Sequence, residues 1–324
     1  MAIGSGLSAQ LGVKAESVYG TPVVVDRFYE FNNESMKVDE AKVYSMGLGR
    51  GRFQRGDRVK SYIKSAAGSV ELDVLNKSFG LLFQHALGQD TITGAAANKT
   101  HTIIPDALAQ QGKSLTLQVG RPDSGGTVRA FTYEGVKIIG FELKCGIDEV
   151  LKVTFDLDAQ TVLTATGLAT ASWVATQEAF VFSEGVLTLG GVTIATIKSF
   201  SLKYAAALNT ERRGLGNTKL EPVANGEATI EMTVDAEFDD LVQYAAFVAG
   251  TQVAALLTFT TTTVIPTTAV AYSLTVNIPA MEYTAADANV SGPDVLAENL
   301  VLKGLDDGVN APITLAYVTS DAAA

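Results

Sequence analysis

Apolar and polar residues alternate along much of this chain with the two-residue period of a half-buried strand. Leu115, Leu117 and Val119 of SLTLQV face away from Thr116 and Gln118, and Leu274, Val276 and Ile278 of SLTVNI face away from Thr275 and Asn277. Three further stretches put acids opposite their apolar face. Val70, Leu72 and Val74 oppose Glu71 and Asp73; Val153, Phe155 and Leu157 oppose Asp156 and Asp158; Ile230, Met232 and Val234 oppose Glu231, Thr233 and Asp235. Two short segments have helical spacing instead, Phe79, Leu82, Phe83 and Leu87 in one and Phe238, Leu241, Ala245 and Val248 in the other. Gly88 and Gly250 stand where a helix takes a left-handed C-terminal cap, so each helix is predicted to end there and pack its apolar face on a sheet.

These elements come twice. Ser69–Gly88, strand then helix, returns as Ala228–Gly250; ESMKV (34–38) matches FSLKY (200–204), and GLG at 47–49 matches GLG at 214–216. SLTLQV matches SLTVNI, IIGFEL (138–143) parallels IPAMEY (278–283), and VLKVTFDL (150–157) parallels LAENLVLKGL (296–305). The period is too long for a solenoid, since each copy can close its own core. The expected organisation is an N-terminal arm (1–30), a first domain (31–162), a linker (163–177) and a second domain (178–324). Trp173 is expected to pin the linker to a domain.

Composition narrows the function. With 47% hydrophobic and 18% charged residues over 324 positions, the chain is globular with substantial cores. Its net charge of −11 lies in the second half: residues 1–160 hold 18 Lys and Arg against 18 Asp and Glu, residues 161–324 hold 6 against 17. Such a balance disfavours a general grip on nucleic acid. The opening MAIGSGLSAQLG lacks the features of a signal peptide and no apolar run is long enough for a bilayer, so the expectation is a soluble chain made in a cytoplasm, away from membranes.

A search for chemistry finds no catalytic residue, metal site or cofactor to name. Cys145 is alone, which rules out an intramolecular disulfide and fits a buried thiol in a strand. His85 reads as a packing or surface residue and His101 falls in a loop-like stretch, without a base and orienting partner. No nucleophile elbow, zinc motif, phosphate loop or dinucleotide fingerprint is present, and GLGRGR (47–52) has its glycines at the wrong spacing. Asp156 and Asp158 could attract a hard cation, but without carbonyl-rich loops they read as a solvated face.

One cluster stands out, RGRFQRGDRVKSYIK, in which Arg50, Arg52, Arg55, Arg58, Lys60 and Lys64 meet Asp57 alone. It separates strand-like 35–38 from strand-like 66–75, too far apart for a tight hairpin, and long loops in compact domains are usually functional. The segment 44–64 is expected to be a mobile arm, lacking partners of its own, that orders by docking on the acidic surface of another subunit.

The opening SGLSAQLGVKAESVYGTPVVVDRFYEF, the Gly- and Arg-rich loop and GSVELDV...FGLLFQHALG resemble the major tail tube proteins of long-tailed, non-contractile bacteriophages. So does IKSFSLKY...ERRGLGNTKLEPVANGEATIEMTVDAEFDDLVQYAAFVAGT. The resemblance implies a mainly β fold with short flanking helices, here two tandem tail-tube-like β-sandwich or barrel domains, whose strands join between subunits into a ring-wide barrel. It also implies stacked rings forming a hollow virion tail tube, assembled in the host cytoplasm, with tape measure, distal tail and terminator proteins as partners.

Two domains per chain let three chains build a pseudo-sixfold ring, a homohexamer being the alternative. Glu71, Asp73, Asp156, Asp158, Glu231 and Asp235 are then expected on the lumen wall, repelling DNA phosphates so that the duplex passes without specific binding. Arg50, Arg52, Arg55, Arg58, Lys60 and Lys64 are expected at the contact between rings. A tail decoration or receptor-binding β-protein is the rival reading. An enzyme acting on polysaccharide would need paired carboxylates in a cleft, which spacing alone does not test.

Overall fold

The computed structural model describes residues 4–45, 53–94, 97–216, 219–290 and 292–323. It is mainly β, with two short α-helices among the described residues. The first half contains β1 (Gln10–Glu16), β2 (Arg27–Tyr29), β3 (Asn33–Glu34), β4 (Lys37–Tyr44), β5 (Val59–Asp73) and α1 (Gly80–Leu87). After these come β6 (Gly88–Thr93), β7 (Lys99–Pro105), β8 (Ser114–Pro122), β9 (Val128–Gly146), β10 (Lys152–Ala159) and β11 (Thr161–Leu163). The second half contains β12 (Gly185–Leu189), β13 (Val192–Thr193), β14 (Ile197–Ala205), β15 (Leu208–Asn209), β16 (Val223–Ala224) and β17 (Thr229–Glu237). It ends with α2 (Val242–Ala249), β18 (Val253–Val264), β19 (Ala271–Asp287), β20 (Ala297–Gly304) and β21 (Thr314–Thr319).

All the long pairings are antiparallel. In the first half β2, β1 and β8 lead onto the N-terminal part of β9, flanked on its other edge by β11. Beyond Val136, β9 changes partner to β10, which pairs with β5, which in turn carries β3 and β4. The second half follows the same order. There β13, β12 and β18 lead onto the N-terminal part of β19, with β21 on its other edge, and from Met281 onward β19 pairs with β20, then β17, then β14. Each long strand turns near a bulge of one extra residue. Ile139 of β9 lies between the pairs Leu157↔Ile138 and Asp156↔Gly140, and Thr284 of β19 lies between Leu302↔Tyr283 and Val301↔Ala285. A bulge bends its strand and raises the local twist, which lets one strand serve two layers.

The layers face each other across the core. Leu11 and Leu117 from β1 and β8 line the same interior space as Leu72, Phe155 and Leu82 from β5, β10 and α1. Burial of SLTLQV is complete on both faces, so Thr116 and Gln118 are inside as well. They are satisfied there: Thr116 Oγ1 donates to Glu16 and Gln118 Nε2 to Thr132. The segment between halves is strapped to the first, by Gln10 to the Ala169 carbonyl and by Trp173 set edge-on to Phe28 at 6.0 Å.

The two helices differ. Phe83 of α1 is completely buried and stacks among Phe79, Phe141 and Phe155 at centroid distances of 6.2, 5.9 and 5.7 Å. In α2 the expected apolar face points outward, with Leu241 and Val248 64% and 66% exposed. Gln243 turns inward instead and accepts from the Tyr283 hydroxyl. The β6–β7 hairpin, which extends past α1, has no equivalent after α2, where the chain enters β18 directly. Of the two predicted left-handed caps, Gly250 adopts it (φ +62°, ψ +32°), whereas Gly88 has positive φ outside that region (φ +119°, ψ −58°).

Both histidines are inside. His101 lies in β7, not in a loop, with Nδ1 2.8 Å from Asp90, whose carboxylate holds its pKa above the usual value. His85, on α1, is buried near Lys113, Lys137 and Arg27, and burial first and those cations second push it down to about 3. A folded-state pKa below the unfolded value means the native state stays neutral while the unfolded chain takes up a proton. His85 therefore costs nothing above about pH 6.5 and about 1.4 kcal/mol per unit as pH falls from there toward 3. Between pH 7 and 5 the wild type is expected to lose about 2 kcal/mol more than His85→Gln, read by urea unfolding at the two pH values. Parallel losses would remove His85 from the acid response.

Candidate assembly surface

Two strand pairs join the halves, β21 with β7 (Leu315↔Ile103 to Thr319↔Lys99) and β14 with β9. Ser199–Ala205 of β14 runs along Gly140–Gly146 of β9, so β4, β5, β10, β9, β14, β17, β20 and the C-terminal part of β19 form one continuous antiparallel run. Residues opposite one another in such a ladder project from the same face. One row crosses the run as Glu71, Thr154, Glu142, Lys203, Glu231, Lys303 and Glu282. The face opposite the core is thus a polar wall shared by both halves.

Of the expected lumen acids, Glu71, Asp73, Asp156, Glu231 and Asp235 alternate with buried apolar neighbours and lie on this face. Their setting differs from an all-acid wall. Lys144 pairs with Glu71 at 2.7 Å, and Lys152, Lys203 and Lys303 stand opposite Asp73, Glu142 and Glu231 in the ladder. These lysines went unnoticed in the sequence because each sits in a different strand; only the register brings them beside the acids. Partial burial raises the Asp156 carboxyl above the usual range, Lys203 opposing and Glu142 adding to the shift.

Asp158 is not exposed on the wall. It keeps its place in the β5–β10 ladder opposite Ala67, on the side of β10 that carries Asp156, but the second half covers it there and it is buried with Lys219 Nζ at 2.5 Å. Lys219 comes from the 206–228 segment of the second half, which lies against the first half through several contacts. Glu221 reaches Lys137 Nζ at 2.5 Å and the Gly112 amide at 2.7 Å, Gln160 donates to the Lys219 carbonyl, and Arg213 donates to the Lys64 carbonyl.

The described part of the basic segment has more partners than its sequence implies. Strand pairing extends through Tyr44 on one side and begins at Val59 on the other, making β4 and the start of β5 a projecting two-stranded ribbon. Arg55 finds a partner inside the segment, donating to Asp57 at 2.9 and 2.6 Å, and Lys64 pairs with Asp39 and Glu211 at 3.2 and 3.3 Å. Arg58 and Lys60 are exposed, whereas Arg50 and Arg52 lie outside the described residues. Val43, Tyr44, Phe53, Tyr62 and Ile63 are also exposed on or beside the ribbon. Isolated two-stranded ribbons are marginal in water, and these apolar residues find no cover within the described chain.

Among the described residues no cluster of His, Cys, Asp and Glu could hold a metal ion, and no helix is long and apolar enough to cross a membrane. Comparison with protein families finds a match over residues 6–311 to the model described as phage tail tube protein. No curated protein matches the chain.

Proposed function

The chain belongs to the phage tail tube protein family, a family of structural virion tail proteins, and from that premise we propose that it carries two tandem tube domains and polymerises into the tube of a long, non-contractile tail. Three chains make one ring of pseudo-sixfold symmetry, the rings stack, and the polar wall of the joined sheet surrounds the channel through which DNA leaves. The observation that carries the reading is the continuous run of strands through both halves, in which the second half repeats the pairing order and the bulge of the first. The run ends in unpaired edges: among the described residues, Lys37–Tyr44 pairs only with β5 and Glu282–Asp287 only with β20. Exposed edges invite further pairing, and closure into a barrel removes them.

On this reading Glu71, Asp73, Asp156, Glu231 and Asp235 border the lumen, with the lysines between them limiting their mutual repulsion. DNA meets a wall of closely paired charges and slides without being gripped. The ribbon with Arg50, Arg52, Arg55, Arg58, Lys60 and Lys64 docks on an adjacent subunit, where guanidinium–carboxylate hydrogen bonds offset the cost of ordering it. Tape measure, distal tail and terminator proteins are the expected neighbours in the tail. Negative-stain microscopy of the concentrated protein is expected to show hollow polymers whose end-on views have six similar lobes from three chains. Six chains per ring would replace the trimer by the hexamer, and particles without a hollow polymer would favour a decoration or receptor-binding role.

A further inference from the structure

We infer that the contact closing the ring is a strand pair between β4 of one chain and the C-terminal end of β19 of the next, in the register that joins β14 to β9 within each chain. This rests on the ring-forming role proposed above and adds its residue-level joint.

The bulges fix the equivalence of the halves. Leu157↔Ile138 and Leu302↔Tyr283 flank the extra residue at the same side, so Ile138 corresponds to Tyr283 and Leu157 to Leu302. Counting along the strands, Glu142 then corresponds to Asp287, and Phe155 to Leu300. Phe155 pairs with Val70 and Leu300 with Val234; Val70 pairs with Glu34 and Val234 with Phe200. Glu34 therefore corresponds to Phe200, Ser35 to Ser201 and Lys37 to Lys203, the same alignment as ESMKV on FSLKY in the sequence.

Within the chain, Lys203 stands opposite Glu142, and the Ser201 hydroxyl donates to the same carboxylate at 2.6 Å. The lysine recurs as Lys37 at the start of β4 and the serine as Ser35 just before it, where its hydroxyl meets Ser69 within the chain, and the matching carboxylate recurs in β19 as Asp287. The strands that hold them are the two whose outer edges are unpaired. Val38, 40% exposed, corresponds to Tyr204, which the internal joint buries to 3%. In the transferred register Lys37 faces Asp287, Val38 faces Ala286 and Asp39 faces Ala285 of the neighbouring chain. Closing the joint thus covers an exposed valine, supplies backbone partners to both edges and sets opposite charges directly across the ladder.

The test is a disulfide placed across the joint. Directly opposed residues of antiparallel strands lie within the Cα separation that a disulfide spans. Lys37→Cys/Asp287→Cys is expected to form reducible interchain links on mild oxidation of the concentrated protein, reaching a closed three-chain species, whereas the out-of-register Lys37→Cys/Glu282→Cys is not. Cys145 is buried and its thiol is pushed up to about 11 by burial, so it stays out of the exchange. As a measurement without cysteines, Lys37→Glu is expected to raise the concentration needed for assembly roughly tenfold, and Asp287→Lys added to it to restore assembly. Wild-type rings or tubes in the microscope together with no link beyond the control would overturn this joint and leave the tube function standing. A wild type that forms neither rings nor tubes when concentrated, with no interchain link in either variant, would overturn the function and the joint with it.

Discussion

Phe83→Ala is expected to lower the unfolding free energy by about 3–5 kcal/mol, and Phe247→Ala by less than about 1.5 kcal/mol. The two residues occupy matching helices with opposite surroundings. Phe83 is fully buried and touches the rings of Phe79, Phe141 and Phe155, which come from β9, β10 and the approach to α1. Removing it opens a cavity among side chains held in three elements, so collapse is resisted and the loss includes both transfer and cavity contributions. Phe247 is only partly buried, its nearest ring being exposed Tyr244 at 6.4 Å. Truncating it removes contacts from a helix that already shows most of its surface to water. Urea titrations followed by far-ultraviolet circular dichroism measure both, and equal losses would contradict the placement of α1 in the core and α2 at the surface.

A comparable loss, about 3–5 kcal/mol, is expected from Lys219→Met. Asp158 and Lys219 are each under 5% exposed, and burial opposes the charge on both, pushing the carboxyl up and the amine down while each partner holds the other ionised. Lys219 also donates to the Ala159 carbonyl at 3.0 Å, whereas Asp158 Oδ2 has no hydrogen-bond partner. Without the ammonium, the carboxylate is left uncompensated in the interior or must take up a proton. Asp158→Leu combined with Lys219→Met removes both charges and is expected to recover most of the loss, since two apolar groups leave nothing unpaired. Denaturant unfolding of the single and double variants decides it. A double variant as weak as the single one would show that the pair acts through the docking of the 206–228 segment and not through its buried charge.

Much of this architecture was legible from local pattern. Alternation located β5, β10, β17 and β19 because each has one face toward the core, it located β8 although both of its faces are buried, and α1 was visible because Phe79, Leu82, Phe83 and Leu87 share a buried side. ESMKV and FSLKY anticipated that β4 and β14 correspond, and that correspondence now carries the register of the proposed joint. SLTLQV and SLTVNI did not, since they lie in β8 and β19 while the counterpart of β8 is β18, and IIGFEL and IPAMEY are offset along β9 and β19, where Ile138 takes the place of Tyr283. The misses share a cause: each depends on a contact with something distant in the chain. The ribbon of β4 and early β5 has no buried face, so its residues show no period, and only their mutual backbone pairing makes them strands. In α2 the apolar spacing was real, but the sheet beneath accepted Gln243, Ala246 and Phe247, and no covering hairpin follows.

The sequence by itself determined the β class, the positions of the main strands, the first helix and the repeated order, because side-chain alternation and helical spacing are properties of neighbouring residues. Only the tertiary structure decided that Lys219 covers Asp158, that lysines from separate strands sit between the acids of the wall, and that, among the described residues, the run of strands shared by the two halves ends in two open edges. Those facts are set by which strand is chosen as partner, in which register, and by what packs over a face, none of which changes the local pattern that predicts a strand.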